Sequence, residues 1–272
     1  MLFIPRKLFT RVRDLWPVRK IAIFMSSRRH ARWQKAHPGA SFGEYYAAAH
    51  MRKLGRGWPH ATLGQLGWDQ AGMPTQWDKA SFAARGGDDW NRIQAMGVKP
   101  TDHVVDYGCG SLRVGQHAIR FLDPDCYWGL DVTNDFFGPA ITMLDTGLVA
   151  QKRPMVGVIG PVSLAQVTQW KPDILFSNAV LQHVPPAELR TYLQSIASLL
   201  GPGAVALVIF VAGKNGERYQ GMNWRYSGSA LTRLVSAIDG DLEVAIEELS
   251  DDHAPDNKRG KQLLRMRRPG AR

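Results

Sequence analysis

Val104-Val105-Asp106-Tyr107-Gly108-Cys109-Gly110-Ser111-Leu112-Arg113-Val114-Gly115 runs from a short apolar strand, through a turn with two glycines, into the start of a helix. Val104 and Val105 suit a buried, pleated surface. Gly108 and Gly110 allow a sharp turn and the close approach of a ligand that a Cβ would push away. A helix predicted over Leu112–Leu122 begins just past the turn. Its free N–H groups then face the bound ligand and favour a carboxylate or phosphate. Asp131 follows Gly110 by 21 positions, at the end of the next predicted strand, Cys126–Asp131. A carboxylate there can accept hydrogen bonds from both hydroxyls of a ribose.

Downstream, strand and helix patterns alternate. A helix is predicted from Asn134 to about Ala150, disturbed by Gly138-Pro139, and Pro154–Ile159 and Asp173–Asn178 read as the third and fourth strands. Pro186–Leu200 carries Leu189, Leu193, Ile196 and Leu200 on one helical face and is stopped by Gly201-Pro202-Gly203. Ala204–Ala212 is an almost unbroken apolar run, as expected of a strand buried on both faces of a parallel sheet. A helix over Ser229–Ile238 and strands near Leu242–Leu249 and Gln262–Met266 complete the series. This alternation predicts an α/β, doubly wound sheet. Upstream of about Gln76 no strand-like alternation is present, so the chain divides into a basic, mainly helical extension (1–83) and an α/β domain (84–272).

A glycine turn alone also fits a nucleotide-binding dehydrogenase. Against that reading, the third glycine of G-x-G-x-x-G is Arg113, Asp106 stands two residues before Gly108, and the turn reads Gly-Cys-Gly. These features resemble motif I of the class I, Rossmann-like S-adenosylmethionine-dependent methyltransferases. Tyr127-Trp128-Gly129-Leu130-Asp131 is similar to the family's second motif. Pro172–Asn178 with Ala179–Val184 is similar to its fourth strand and the segment after it, and Leu199–Gly203 to its turn before strand five. The resemblance covers roughly residues 84–268. It implies seven strands, mostly parallel, in the order 3-2-1-4-5-7-6 with strand seven antiparallel, and S-adenosylmethionine as cofactor. The implied cofactor-binding set is Asp106, Tyr107, Gly108, Cys109, Gly110, Asp131, Val132 and Asn178, with the first-motif turn on the methionine part and Asp131 on the ribose. Two departures stand out. Leu112 occupies the family's third motif-I glycine, which predicts a tighter loop, and the third strand runs into Pro161-Val162-Ser163 with no acid near the adenine.

His183 lies just past strand four, where open α/β sheets build their sites, and is the candidate general base; its bland reading is a local hydrogen-bonding role before Pro185-Pro186. Arg113 reads either as a ligand of the methionine carboxylate or as a solvated arginine. Trp224 and Tyr226 read either as an acceptor pocket or as domain closure. Trp33, Trp58, Trp68 and Trp77 read as a lid or, more simply, as a helical layer. Gln182 and Ala179 stand where some related O-methyltransferases carry metal-binding carboxylates, so no metal is expected.

The 272 residues carry 34 Lys and Arg against 24 Asp and Glu, a net charge of +10. Residues 1–35 hold ten of the bases and one acid, Asp14, so the excess belongs to this segment and not to the folded body. Leu8, Phe9, Val12, Leu15 and Trp16 follow helical spacing. A basic amphipathic helix can lie on an anionic membrane face, and equally can pack on the protein itself or on a second subunit. No apolar run near the start approaches the ~20 residues of a membrane span, and no cleavage site follows the short run at 21–25. With two cysteines that form no metal or disulfide pattern, the expected location is cytoplasmic, with the inner membrane face as a peripheral option. The expected activity is methyl transfer to an oxygen of a small molecule. The alternatives are an RNA methyltransferase gripping phosphates with the basic arm, and a cofactor-binding subunit without turnover. The RNA reading lacks an Asn-Pro-Pro-Tyr-type signature after strand four and any recognisable RNA-binding module.

Overall fold

The computed structural model describes residues 16–54, 79–249 and 260–270. Two helices, α1 (Trp16–Ala36) and α2 (Phe42–Leu54), come first, followed by α3 (Lys79–Gln94), which runs through the 83/84 boundary. The α/β series is β1 (Val104–Tyr107), α4 (Gly115–Phe121), β2 (Tyr127–Asp131), α5 (Asn134–Thr142), α6 (Thr146–Lys152), β3 (Met155–Val158), α7 (Pro161–Trp170) and β4 (Ile174–Asn178). A short 3₁₀ turn (Leu181–His183), α8 (Leu189–Ser198) and β5 (Val205–Val211) follow. The chain ends with β6 (Glu217–Gln220), β7 (Asn223–Arg225), α9 (Gly228–Ile238), β8 (Glu243–Leu249) and β9 (Lys261–Arg267).

Seven strands form one sheet in the order β3-β2-β1-β4-β5-β9-β8. β1 to β5 are parallel, β9 is antiparallel to both neighbours, and β6 and β7 form a separate hairpin. With that hairpin set aside, the order is the expected 3-2-1-4-5-7-6. The apolar run of β5 is explained by its position: Ala206, Val208 and Phe210 face one core layer, and Leu207 and Ile209 face the other. The first layer is covered by α2, α7, α8 and α9, the second by α3, α4 and α5.

Three boundaries differ from the sequence expectation. The single helix expected from Asn134 to Ala150 is two: the Thr142 hydroxyl takes the Pro139 carbonyl, and the Asp145 carboxylate caps the Leu148 N–H at 2.7 Å and starts α6. Pro139 is accommodated within α5, so the break is not at Gly138-Pro139. The helix expected from Leu112 starts at Gly115, because Leu112 is left-handed at φ +57°. Finally, the hairpin at 217–225 was not read as strands.

The N-terminal helices are fastened to the domain by specific bonds. Ser26 Oγ donates to the Gly221 carbonyl at 2.7 Å, and the Arg218 guanidinium reaches Ser27 Oγ at 2.6 Å while lying over the Trp224 ring. On α2, Ser41 and Glu44 form a reciprocal capping box, and the Phe42 N–H donates to Glu188 Oε1 at 2.7 Å. Phe42 is buried edge-on against Trp224. α3 lies flush on the glycine-turn segment: a Cβ on Gly86 would stand 2.0 Å from the Arg113 carbonyl oxygen. Leu8, Phe9, Val12, Leu15, Trp58, Trp68 and Trp77 lie outside the described residues, as does the side chain of Trp16.

Candidate functional site

The parallel strands β1, β2 and β4 end at one cavity of about 840 Å³. Asp106, Tyr107, Gly108, Cys109 and Gly110 line it from β1 and the loop beyond, Asp131 and Val132 from the end of β2, Asn178 from the end of β4, and His183 from the 3₁₀ turn after it. All nine residues singled out in the sequence therefore share a single space. The helix α4 is set back from the glycine turn by Ser111–Val114, so the expected arrangement of helical N–H groups directly behind the turn is absent.

Asp131 organises the loop. Its Oδ2 accepts the Gly110 N–H and its Oδ1 accepts the Val132 N–H, both at 2.7 Å. Each oxygen keeps a further lone pair for a ligand. Burial pushes its carboxyl up to about 6, against the pull of these two backbone donors. Asp106, one strand across, accepts the Tyr127 hydroxyl at 3.0 Å, and burial pushes it up to about 7. The Tyr127 ring passes beneath α4 only because residue 115 is glycine; a Cβ there would lie 2.2 Å from its hydroxyl. Gly108 stands at φ +90° with Val180 packed against it, and a Cβ would lie 2.3 Å from that side chain.

Leu112 answers the question raised by the missing third glycine. It holds the left-handed conformation that glycine usually supplies, and its side chain is fully buried. The backbone strain, about 1–2 kcal/mol, is offset by the core contacts of the side chain. Leu112→Ala and Leu112→Gly are both expected to lose about 2–5 kcal/mol of stability. The glycine variant should be the more stable by up to about 1 kcal/mol. Urea denaturation midpoints check the order; alanine above glycine would contradict it.

Arg113 is neither solvated nor free. Its side chain is 13% exposed and pairs with Asp89 of α3 at 2.6 Å while lining the cavity. Burial would push Asp89 up, but the Arg113 charge and hydrogen bond outweigh it and hold the carboxyl low. Beyond the end of β3 the wall is apolar, formed by Val158, Ile159 and Leu164. Trp224 and Tyr226 are buried away from this cavity, and the Tyr226 hydroxyl donates to the Val184 carbonyl at 2.6 Å.

His183 is fixed from two sides. Its Nδ1 lies 3.3 Å from the Met222 carbonyl, which assigns the proton to Nδ1 and leaves Nε2 as an acceptor. Gln182 Nε2 (3.2 Å) and Tyr46 Oη (3.5 Å) both face that Nε2. Burial lowers the imidazole to about 4, against the stabilising bonds to Met222 and Asn223, so it is neutral near pH 7. Tyr46, pushed well up by burial and by Asp131, stays protonated.

His183 and Tyr46 also line a second cavity of about 990 Å³, between α1, α2 and the β6–β7 turn. The sequence reading missed the α2 residues altogether. The Ser41-x-x-Glu44 capping box was a usable signal for the start of that helix. Its partner across 137 residues, His183, had none.

No protein-family model matches the chain, and no curated protein matches it. Solved structures do. Magnesium protoporphyrin IX methyltransferase (ChlM) from Synechocystis PCC 6803, with bound SAH, is similar at a TM-score of 0.53 and 14% identity, over 83% of this chain and 97% of that one. The same protein with bound SAM gives 0.53 and 16%, over 83% and 94%. The [4+2]-cyclase SpnF gives 0.55 and 14%, over 86% and 99%.

Proposed function

We propose, from a chain with the class I methyltransferase fold, that this protein binds S-adenosylmethionine and transfers its methyl group to an oxygen of a small molecule. The carrying observation is the position of His183 Nε2, an unprotonated acceptor in the wall between the glycine-loop cavity and a second cavity. The fold alone does not decide the chemistry, since a cyclase shares it.

The residues present fit the cofactor. Asp131 is the ribose acceptor, its two oxygens preset by Gly110 and Val132, and the loop from Asp106 to Gly110 holds the methionine end beside Asn178. Val132, Val158, Ile159 and Leu164 offer an apolar slot for a purine. Bound there, the cofactor supplies an electrophilic sulfonium methyl. His183 Nε2 accepts the proton of an acceptor hydroxyl that takes the place of the Gln182 amide on its single lone pair, and the Met222 carbonyl holds the ring in the tautomer that leaves Nε2 unprotonated. Tyr46 and Gln182 steer hydrogen bonds to the same atom, which fixes the line of approach. Incubation with methyl-labelled S-adenosylmethionine and pooled hydroxylated small molecules tests the reading. An O-methyl product with matching S-adenosylhomocysteine supports it, and cofactor binding without turnover on any pool supports the non-catalytic alternative.

A second reading concerns membranes. Ile21, Phe24 and Met25 on one side of α1 are 62%, 58% and 45% exposed, with Lys20 and Arg28 alongside. Among the described residues no helix is long and apolar enough to cross a membrane. An exposed stripe flanked by cations suits the surface of an anionic bilayer. Ile21→Asp/Phe24→Asp is expected to reduce co-sedimentation with phosphatidylglycerol vesicles at least fivefold. Equal sedimentation of both proteins would contradict it.

A further inference from the structure

The second cavity has an unusual electrostatic make-up. Arg29 and Arg32 enter it from α1, and Arg52 and Lys53 from α2. Among the described residues, no Asp or Glu lines it. Among the described residues, none of these four cations is within ion-pair distance of an acid, whereas Arg19, Arg92, Arg113, Arg153, Arg225 and Arg268 each are. Lys53 is pushed below its ordinary value, first by burial and then by the Arg29 charge. Collecting cations around a concave wall costs self-repulsion that an anion relieves.

The cavity is not isolated from the chemistry. Tyr46 and His183 belong to its wall and to the wall of the glycine-loop cavity. Met222, whose carbonyl holds His183 Nδ1, lines it as well. A molecule lying in it therefore meets both the four cations and the Tyr46–His183 wall that this cavity shares with the glycine-loop cavity. Trp33 and Tyr45, in ring contact with each other, add flat apolar surface to its wall.

We infer that the methyl acceptor is an anionic small molecule, bearing a carboxylate or phosphate group held by Arg29, Arg32, Arg52 and Lys53, and that it enters through the cleft between α1, α2 and the β6–β7 turn. This rests on the methyltransferase reading for the word acceptor; the anion site itself does not. Arginine forks pair with carboxylate and phosphate in two-point geometry, so either group satisfies the site. The anionic end selects and orients, and the far end is left for reaction.

The test uses the full chain and two probes, citrate for the carboxylate source and inorganic pyrophosphate for the phosphate source, titrated by calorimetry. The wild type is expected to bind at least one. Arg29→Glu/Arg52→Glu should lose at least tenfold in affinity, and Arg29→Gln/Arg52→Gln should show the same direction where charge reversal impairs folding. Arg190→Glu/Arg233→Glu, which makes the same change in net charge elsewhere, should bind as wild type. Which probe binds tells carboxylate from phosphate. Failure of both probes, or equal loss in the control, overturns the anion site. S-adenosylhomocysteine affinity, measured in parallel, should stay within about twofold in every variant, because none of the substituted residues lines the glycine-loop cavity. Wild-type anion binding without S-adenosylhomocysteine binding would sink the methyltransferase reading and leave the anion site standing. In the turnover arm, hydroxy acids are compared with their own primary amides. A preference of at least tenfold for the acids is expected, and equal rates for acid and amide would overturn the acceptor assignment. Tight, salt-sensitive binding of a single-stranded RNA, lost in the same double variants while both probes fail, would assign the patch to nucleic acid instead.

Discussion

Replacing His183 with glutamine is expected to lower turnover about 100-fold while leaving S-adenosylmethionine affinity within about threefold of wild type. General-base catalysis is commonly worth 10²–10⁴-fold, and the lower end applies here for a physical reason. The burial that keeps the imidazole neutral, by lowering it to about 4, also weakens it as a proton acceptor. Glutamine can keep one hydrogen bond to the Met222 carbonyl, so the hairpin turn stays seated while the basic nitrogen is gone. A purely structural histidine would behave otherwise: glutamine would retain most of the rate, and alanine would lose rate and stability together. Across pH 5.5–8 the histidine itself contributes no acidic limb to the rate, because its titration lies below that range. Single-turnover rates for both variants, with thermal unfolding measured in parallel, separate the two roles.

Asp131→Ala should have the larger effect on binding. It removes the acceptor of two buried backbone N–H groups, at Gly110 and Val132, each costing about 1–3 kcal/mol when left unpaired. It also removes the ribose contact, so a loss of at least about 100-fold in cofactor affinity is expected, equivalent to about 2.7 kcal/mol. Asp131→Asn should not rescue it, because an amide must turn its NH₂ toward one of two donors. The pH dependence follows from the raised carboxyl. A native value of about 6 lies above the ordinary Asp range, so the unliganded fold gains relative stability from the proton as pH falls, and that gain is lost as pH rises through about 6. The ionised form is the better ribose acceptor. Affinity should therefore fall as pH drops from 7 to 5, with proton release on binding, and Asp131→Asn should flatten that slope. Asp106, pushed to about 7 and coupled to Asp131, broadens the transition.

How much of this was legible in the sequence depends on how local the determinants are. The β1 loop, Asp131 and β5 were readable because each is set by a contiguous pattern: a glycine turn after two valines, an acid at the end of a strand, an apolar run buried on both faces. The strand order came from the resemblance rather than from any one residue. The left-handed Leu112 was not readable, since leucine is a poor signal for that conformation, and the site tolerates it only because the side chain is buried. The split between α5 and α6 turns on one capping carboxylate, Asp145, overshadowed by the more conspicuous Gly138-Pro139. For Arg113, the solvated alternative stayed open in the sequence because its partner Asp89 lies on a helix 24 residues upstream. The basic cleft was hidden for the same reason. Arg29 and Arg32 belonged to the basic segment 1–35, and Arg52 and Lys53 were not singled out until the fold brought α1 and α2 together over the hairpin.

The central claim is that the glycine loop and Asp131 form an S-adenosylmethionine site. Calorimetric titration of the wild-type protein with S-adenosylmethionine and S-adenosylhomocysteine tests it most directly. Binding of both in the micromolar range, about −8 kcal/mol, and its loss in Asp131→Ala are the expected results. A folded wild-type protein that binds neither would contradict the account.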